Sequence, residues 1–236
     1  HAAVGDFTKL YANGLPAEPV RELIALGEPQ FAALEDFPEA RAFWWPRFLR
    51  IAHWFTRWDA ERRGAIAGID AEIRGEISIP LDDGTFKLSG VADRIERLPD
   101  GCYVILDYKT GSARSEKQVR TGLAPQLTLE AAMLRRGGFK EIAAHASVAE
   151  IAYVLLKGGE PAGRYEPVNF KEGSPDGHAD HALQKLTEIA RRFDSDKEPY
   201  RSLVHPMWST YYGDYDHLAR VKEWSSGRDD EFGGGE

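Results

Sequence analysis

From about residue 71 to residue 109 the apolar side chains recur at every second position, whereas on either side they recur at helical spacing. Ile73, Ile77 and Ile79 alternate with Glu72, Glu76 and Ser78, and Asp82–Asp83–Gly84 supplies a turn. Phe86 to Arg97 reads as a second strand, Pro99–Asp100–Gly101 as another turn, and Cys102 to Lys109, CYVILDYK, as a third strand. Turns this short let consecutive strands pair only with each other, so an antiparallel meander is expected, and the rest of the chain must fold around it.

The flanking segments read as helices. Val4, Phe7, Leu10 and Tyr11 recur at helical spacing, and Val20, Leu23 and Ile24 resume it after a break at Pro16 and Pro19. In the aromatic-rich stretch from Phe37 to Arg63, Phe48, Ile51, Phe55 and Trp58 form one stripe with Arg47, Arg50 and Arg57 off it. That stripe reads as core, and Pro46 is expected to start or kink its helix, because proline lacks the N–H for an intrahelical bond. Beyond Gly111, Gln118–Gly122 and Gln126 to Arg136 read as helices, the second closed by Gly137–Gly138. Val148 to Leu156 reads as a fourth strand, and Asp180 to Phe193 as a helix carrying Leu183, Leu186, Ile189 and Ala190. The expectation is one α/β domain over residues 1–225, a sheet built from the meander plus a further strand and flanked by α-helices, with a flexible tail at 226–236.

Several classes are excluded. No apolar run approaches the ~18 residues of a membrane span. Cys102 is the sole cysteine, which rules out an internal disulfide framework, a Cys-rich zinc site and a four-cysteine iron–sulfur cluster, and points to a reducing, cytoplasmic setting. A net charge of −8 excludes a uniformly basic nucleic-acid coat. The charge is uneven, however: Lys109 to Lys140 holds seven basic and two acidic side chains, Gly213 to Glu236 three basic and seven acidic. A basic stretch of that kind suits contact with phosphate. His1–Ala2–Ala3–Val4, with no initiator Met and no targeting segment, reads as a piece of a longer protein.

The third strand carries an anomaly. Tyr103, Ile105, Asp107 and Lys109 share one face, so an apolar run ends in an acid and a base side by side, with Cys102, Val104, Leu106 and Tyr108 on the other face. On the second strand, Asp93 is expected on the face of Val91 and Ile95. A three-residue loop at Pro99–Gly101 pairs Leu98 with Cys102, and counting back sets Asp93 opposite Asp107, with Cβ atoms about 4.5–5.5 Å apart. At an effective dielectric of about 20, two such carboxylates repel by about 3 kcal/mol. A shared proton, Lys109 or a divalent cation must offset this, and Mg²⁺ suits one or two carboxylates completed by water and phosphate oxygens. Spacing alone leaves a structural Asp107–Lys109 ion pair equally open. Glu72 and Glu76 share a strand face that reads as solvated. His53, His145, His178, His181, His205 and His217 show no ligand spacing.

Taken together, GVADRIE (Gly90 to Glu96), LDYKTG (Leu106 to Gly111) and PQL (Pro125 to Leu127) resemble the PD-(D/E)XK nuclease superfamily in its RecB-like branch. Within that branch the likeness is to the C-terminal nuclease domain of AddB proteins. FWWPRFLRIAHWF (Phe43 to Phe55), KQVRTGLAPQLTLEAAML (Lys117 to Leu134), GGF (Gly137 to Phe139) and GDYDHLARVKEW (Gly213 to Trp224) support it. The resemblance implies a restriction-endonuclease-like core and a metal-dependent deoxyribonuclease working on DNA ends in double-strand break repair. It implies Asp93 and Asp107 as metal-binding carboxylates, Lys109 as the catalytic lysine and Gln126 as the motif glutamine. The main-chain carbonyl of Tyr108 and the imidazole of His1 would be further metal ligands, and Glu72 matches an acid that sometimes neighbours the metal. Mg²⁺ or Mn²⁺ is the implied cofactor, with DNA as substrate and an AddA-like helicase–nuclease subunit as partner. Two departures stand out. Many RecB-like nucleases carry Tyr four residues after the glutamine, where this chain has Glu130, so the resemblance assigns that position no DNA contact. Some AddB proteins also hold an iron–sulfur cluster on four cysteines, and none is expected here. A non-catalytic binding module of the same fold and a stand-alone RecB-like exonuclease remain alternatives.

Overall fold

Five strands form one sheet in the order β1-β2-β3-β4-β5: Gly68–Pro80, Thr85–Arg97, Tyr103–Lys109, Val148–Leu156 and Gly163–Pro167. The computed structural model describes residues 1–199 apart from Glu35, Glu141 and Asp196. The tail at 226–236, the run Gly213 to Trp224, His205 and His217 lie outside the described residues. The chain divides after Arg191, and all the elements up to the body of the last helix belong to the first part.

β1, β2 and β3 form the expected antiparallel meander. β4 lies parallel to β3, and β5 returns antiparallel to β4. A parallel neighbour needs a crossover, and here it consists of α4 (Glu116–Arg120) and α5 (Gln126–Arg135). α4 is started by Ser115 and Gln118, whose side chains and backbone N–H groups cap each other reciprocally. The sheet is mixed and flanked by helices, as expected. β5 escaped the sequence reading because it is five residues long, with Tyr165 its one large apolar side chain.

β3 is buried on both faces, and each face belongs to a separate core. Ile105 packs with Leu127, Ala131 and Leu134 of α5 and with Ala179 and Leu183 of α6 (Pro175–Asp194). Val104, Leu106 and Tyr108 pack against Val4 and Phe7 of α1 (Ala2–Leu10), Leu23 of α2 (Pro19–Phe31) and Phe48, Ala52 and Phe55 of α3 (Pro38–Arg63). The helical stripe of the aromatic stretch is therefore core. Pro46 does not start α3; Pro38 does, at a position whose N–H has no intrahelical partner anyway, and Pro46 lies inside the helix. Leu10 is 64% exposed, since α1 ends at that residue and leaves the sheet behind. α6 starts at Pro175, five residues earlier than expected, and Ile189 is exposed because the helix leaves the core beyond Leu186. Cys102 precedes β3 and is half-buried rather than a strand thiol.

The alternation in β2 fails at one place. Burial alternates up to Val91, which is 47% exposed, and then Ala92 to Ile95 are buried without interruption. Val91 therefore does not share a face with Asp93 and Ile95 as expected. Ala92 and Ile95 join the same apolar cluster although they are three residues apart, so the alternation slips between them. Opposite the slip, Glu72 of β1 adopts φ +51°, a left-handed conformation unusual for a side chain of this size. Such strain persists only where the surroundings impose it, and here it adjoins Asp93.

Candidate active site

The register of β2 and β3 follows from the tight turn. Leu98 N–H donates to the Cys102 carbonyl at 2.8 Å, and Ile95 and Arg94 pair with Ile105 and Leu106. One step further the ladder ends: Asp93 turns its Oδ2 to the Tyr108 main-chain N–H at 2.8 Å. A side chain thus replaces the backbone partner, and this ties β3 to the acid beside it. Tyr108 itself is anchored on the opposite face, where its hydroxyl shares a 3.2 Å hydrogen bond with Thr8 and its ring meets Phe55 edge-on.

Asp107 is 2% exposed at the end of the apolar run of β3. Lys109 Nζ donates to its Oδ1 at 2.9 Å, and Gln126 Nε2 donates to the same oxygen at 2.7 Å. Lys109 Nζ also lies 2.8 Å from Oδ2, an ion-pair distance without hydrogen-bond geometry, so Oδ2 is buried with no hydrogen bond among the described residues. Burial pushes the Asp107 carboxyl upward, the Lys109 hydrogen bond opposes this, and the Asp93 charge adds to the rise. Gln126 opens α5 and closes the triangle, its Oε1 accepting from Lys109 Nζ at 3.2 Å. Of the residues implied for the site, Asp107, Lys109 and Gln126 thus form one hydrogen-bonded group.

Asp93 and His1 form a second group next to it. His1 Nε2 stands 3.0 Å from Asp93 Oδ2, and this bond raises the imidazole pKa against the opposing effect of burial. Glu72 belongs to this group as well. Burial and then the Asp93 charge raise its carboxyl pKa, and its side chain lies so close to α1 that a Cβ on Gly5 would fall 2.1 Å from its Oε1. Glu72 is therefore not on a solvated face with Glu76, which pairs with Lys87 at the surface. The slip at Glu72 turned one acid inward and left the other out.

Glu130 was read only as a departure from a pattern, yet it is part of the site. It is 4% exposed, one helical turn from Gln126, and accepts from Gln126 Nε2 at 3.1 Å. Its other oxygen is buried with no hydrogen-bond partner among the described residues. Burial, opposed by the Gln126 bond and reinforced by the Asp107 charge, pushes its pKa up to about 8. A signal was present: Glu130 shares a helical stripe with Leu127 and Leu134, so an acid occupied the apolar face.

The carboxylates of Asp93 and Asp107, the carbonyl of Tyr108 and the imidazole of His1 are donors a hard divalent cation accepts, and Asp107 Oδ2, ion-paired with Lys109, makes no hydrogen bond among the described residues. In this arrangement the donors are turned to protein: among the described residues no three His, Cys, Asp or Glu side chains converge as a ready-made cage. A cation would have to compete with Lys109 and Gln126 for Asp107 and with His1 for Asp93. Of the basic stretch beyond Lys109, Arg120 pairs with Glu116, and Arg135 pairs with Asp176 and Asp180.

Residues 1–203 match the family model of the PD-(D/E)XK nuclease superfamily, and the chain belongs to that superfamily. An uncharacterized protein of Rickettsia bellii is 28% identical over 92% of the chain, and one of Rickettsia typhi is 36% identical over 42% of it. The matched stretches amount to 27% and 12% of those proteins, so the chain spans a minor part of their length. Among solved structures, that of SSO0001 aligns with 60% of this chain and 62% of its own at 13% identity and a TM-score of 0.30, too slight a likeness to equate the two folds. Among the described residues no helix is long and apolar enough to cross a membrane.

Proposed function

We propose that this member of the PD-(D/E)XK nuclease superfamily is a DNA nuclease dependent on Mg²⁺ or Mn²⁺, with Asp93, Asp107, Lys109 and Gln126 as its working residues. The observation that carries the reading is the triangle of Asp107, Lys109 and Gln126: an ammonium held by a buried carboxylate and an amide at the end of a rigid strand. Lys109, its side chain 31% accessible, and the exposed Gln126 are the members that reach the surface, while Asp107 is buried. The Lys109 charge is thereby offered outward to a scissile phosphate, where it stabilises charge that develops as the phosphodiester bond breaks. Asp107 and Gln126 fix the direction of that charge in advance. A divalent ion held by Asp93, Asp107, the Tyr108 carbonyl and His1 would supply polarisation of a phosphate oxygen and a bound water of lowered pKa.

The finer reading is a nuclease domain of AddB type, acting at DNA ends in double-strand break repair beside an AddA-like helicase–nuclease subunit. It rests on the sequence runs quoted above, Gly213 to Trp224 included, and on the chain spanning only a part of far longer relatives. The test is cleavage of end-labelled single- and double-stranded DNA in Mg²⁺ and Mn²⁺ by the wild-type chain and Lys109→Ala. Metal-dependent cleavage lost in the variant is the expected result. Equal cleavage by both proteins would remove Lys109 from the chemistry, and cleavage by neither would favour the binding-module reading.

A further inference from the structure

We propose that Glu130 is a positioning residue: by accepting one hydrogen of the Gln126 amide it decides which way that amide faces, and so delivers the Gln126 carbonyl oxygen to Lys109. The inference deepens the nuclease reading and rests on it for its catalytic consequence.

A primary amide has one acceptor oxygen and two N–H hydrogens. At Gln126 all three are engaged, Nε2 donating to Asp107 Oδ1 at 2.7 Å and to Glu130 Oε1 at 3.1 Å, and Oε1 accepting from Lys109 Nζ at 3.2 Å. Turned over, the same amide would set its oxygen against the Asp107 carboxylate, which has no hydrogen to give, and its NH₂ against an ammonium. Asp107 alone could hold one hydrogen, but it is a shared acceptor that already receives Lys109 on the same oxygen. Glu130 is the second, dedicated acceptor. It is buried at the position i+4 on α5, so its reach is to Gln126 and not to a substrate at the surface. A carboxyl buried among Leu127, Ala131 and Leu134 with one oxygen lacking a hydrogen bond among the described residues is costly. Among the described residues its one hydrogen bond is to Gln126.

The test combines kinetics with spectroscopy on the full chain. Glu130→Met removes the acceptor at similar volume, and Glu130→Gln keeps an oxygen at the same reach. In Mg²⁺ with single-stranded DNA, Glu130→Met is expected to lower kcat about 10- to 100-fold, the range for partners that orient a working ligand, with KM unchanged. Glu130→Gln is expected to restore most of the loss. In a Gln126→Ala background Glu130→Met should cost nothing more, because its route of action is gone. In ¹⁵N-labelled protein without DNA, both Gln126 side-chain amide protons should resonate downfield, and one should move toward the free-amide position in Glu130→Met. An equal loss in both backgrounds, or a Gln126 amide spectrum untouched by Glu130→Met, overturns the proposal. Should the wild type cleave nothing, or Lys109→Ala cleave as well as wild type, the nuclease reading fails, while the amide spectrum still decides whether Glu130 holds Gln126.

Discussion

Two clusters of buried charge are built on the same strands, one against α3 and the other where β2 and β3 end between α1 and α5, and they are built on opposite terms. On the face toward α3, Arg94 binds Asp59 at 2.6 Å and Glu96 at 2.8 Å, and all three side chains are fully buried. Arg62 and Arg63 add further guanidiniums to Glu96 and Asp59. There each acid has a base. In the second cluster Glu72, Asp93, Asp107 and Glu130 gather around Lys109 and His1, and burial drives the carboxyls of Glu72, Asp107 and Glu130 upward. Asp93 and Arg94 are adjacent in sequence and stand in different clusters. A balanced cluster satisfies itself and holds helix to sheet; a carboxyl-rich one keeps a demand for positive charge, which is what a site for a cation and a phosphate requires.

The sharpest way to break this comparison is to remove one cation from each cluster. Arg94→Met leaves Asp59 and Glu96 buried without their shared partner, and the expected cost is about 3–5 kcal/mol of stability, read by urea denaturation. Lys109→Ala is expected to lower kcat about 10²–10³-fold while shifting the urea curve less than Arg94→Met does, because its side chain is partly exposed and it leaves one buried acid rather than two. If Lys109→Ala unfolds the chain and Arg94→Met spares it, the assignment of the two clusters is reversed.

A pH series sharpens the carboxyl side. Burial raises Glu130 to about 8 in the folded chain, against about 4.3 for an ordinary glutamate. Between those values the folded state holds a proton that the unfolded state has lost. Stability from this group is therefore complete below about pH 4 and falls away as pH rises through 8, a loss on the order of a few kcal/mol. Glu130→Gln lacks the titration, so its stability relative to wild type should climb from pH 5 to pH 8 and then level off in urea titrations. A constant difference across that range would mean an ordinary carboxyl.

The smallest effect concerns Gly5. Alanine in a helix interior is normally better than glycine by about 1 kcal/mol. Here its Cβ would fall on the Glu72 carboxyl, so Gly5→Ala should give no net gain in melting free energy. A full gain would show that Glu72 is not held against α1.

What could be read in advance divides along physical lines. The register that brings Asp93 to Asp107 was legible because a three-residue turn leaves a hairpin one way to count, and Leu98 does meet Cys102. The two faces of β3 were legible because a straight strand alternates. Glu72 was misplaced because a left-handed residue breaks that alternation, and no pattern in the β1 sequence announces it. Gln126 could be identified from its motif, but not its bonds, which depend on where the crossover sets the first turn of α5. Glu130 was read against a family pattern rather than against its own helix, whose apolar stripe would have shown it buried.

Calorimetric titration of Mn²⁺ into the wild-type chain and Asp107→Asn, at one pH and without DNA, tests the central claim most directly. Asn keeps the shape and hydrogen-bonding reach of Asp107 and removes its charge. The account predicts saturable binding to the wild type, one ion per chain, reduced by at least about 10-fold in the variant. Equal binding by both proteins, or none by the wild type, would contradict a metal-dependent site built on this strand.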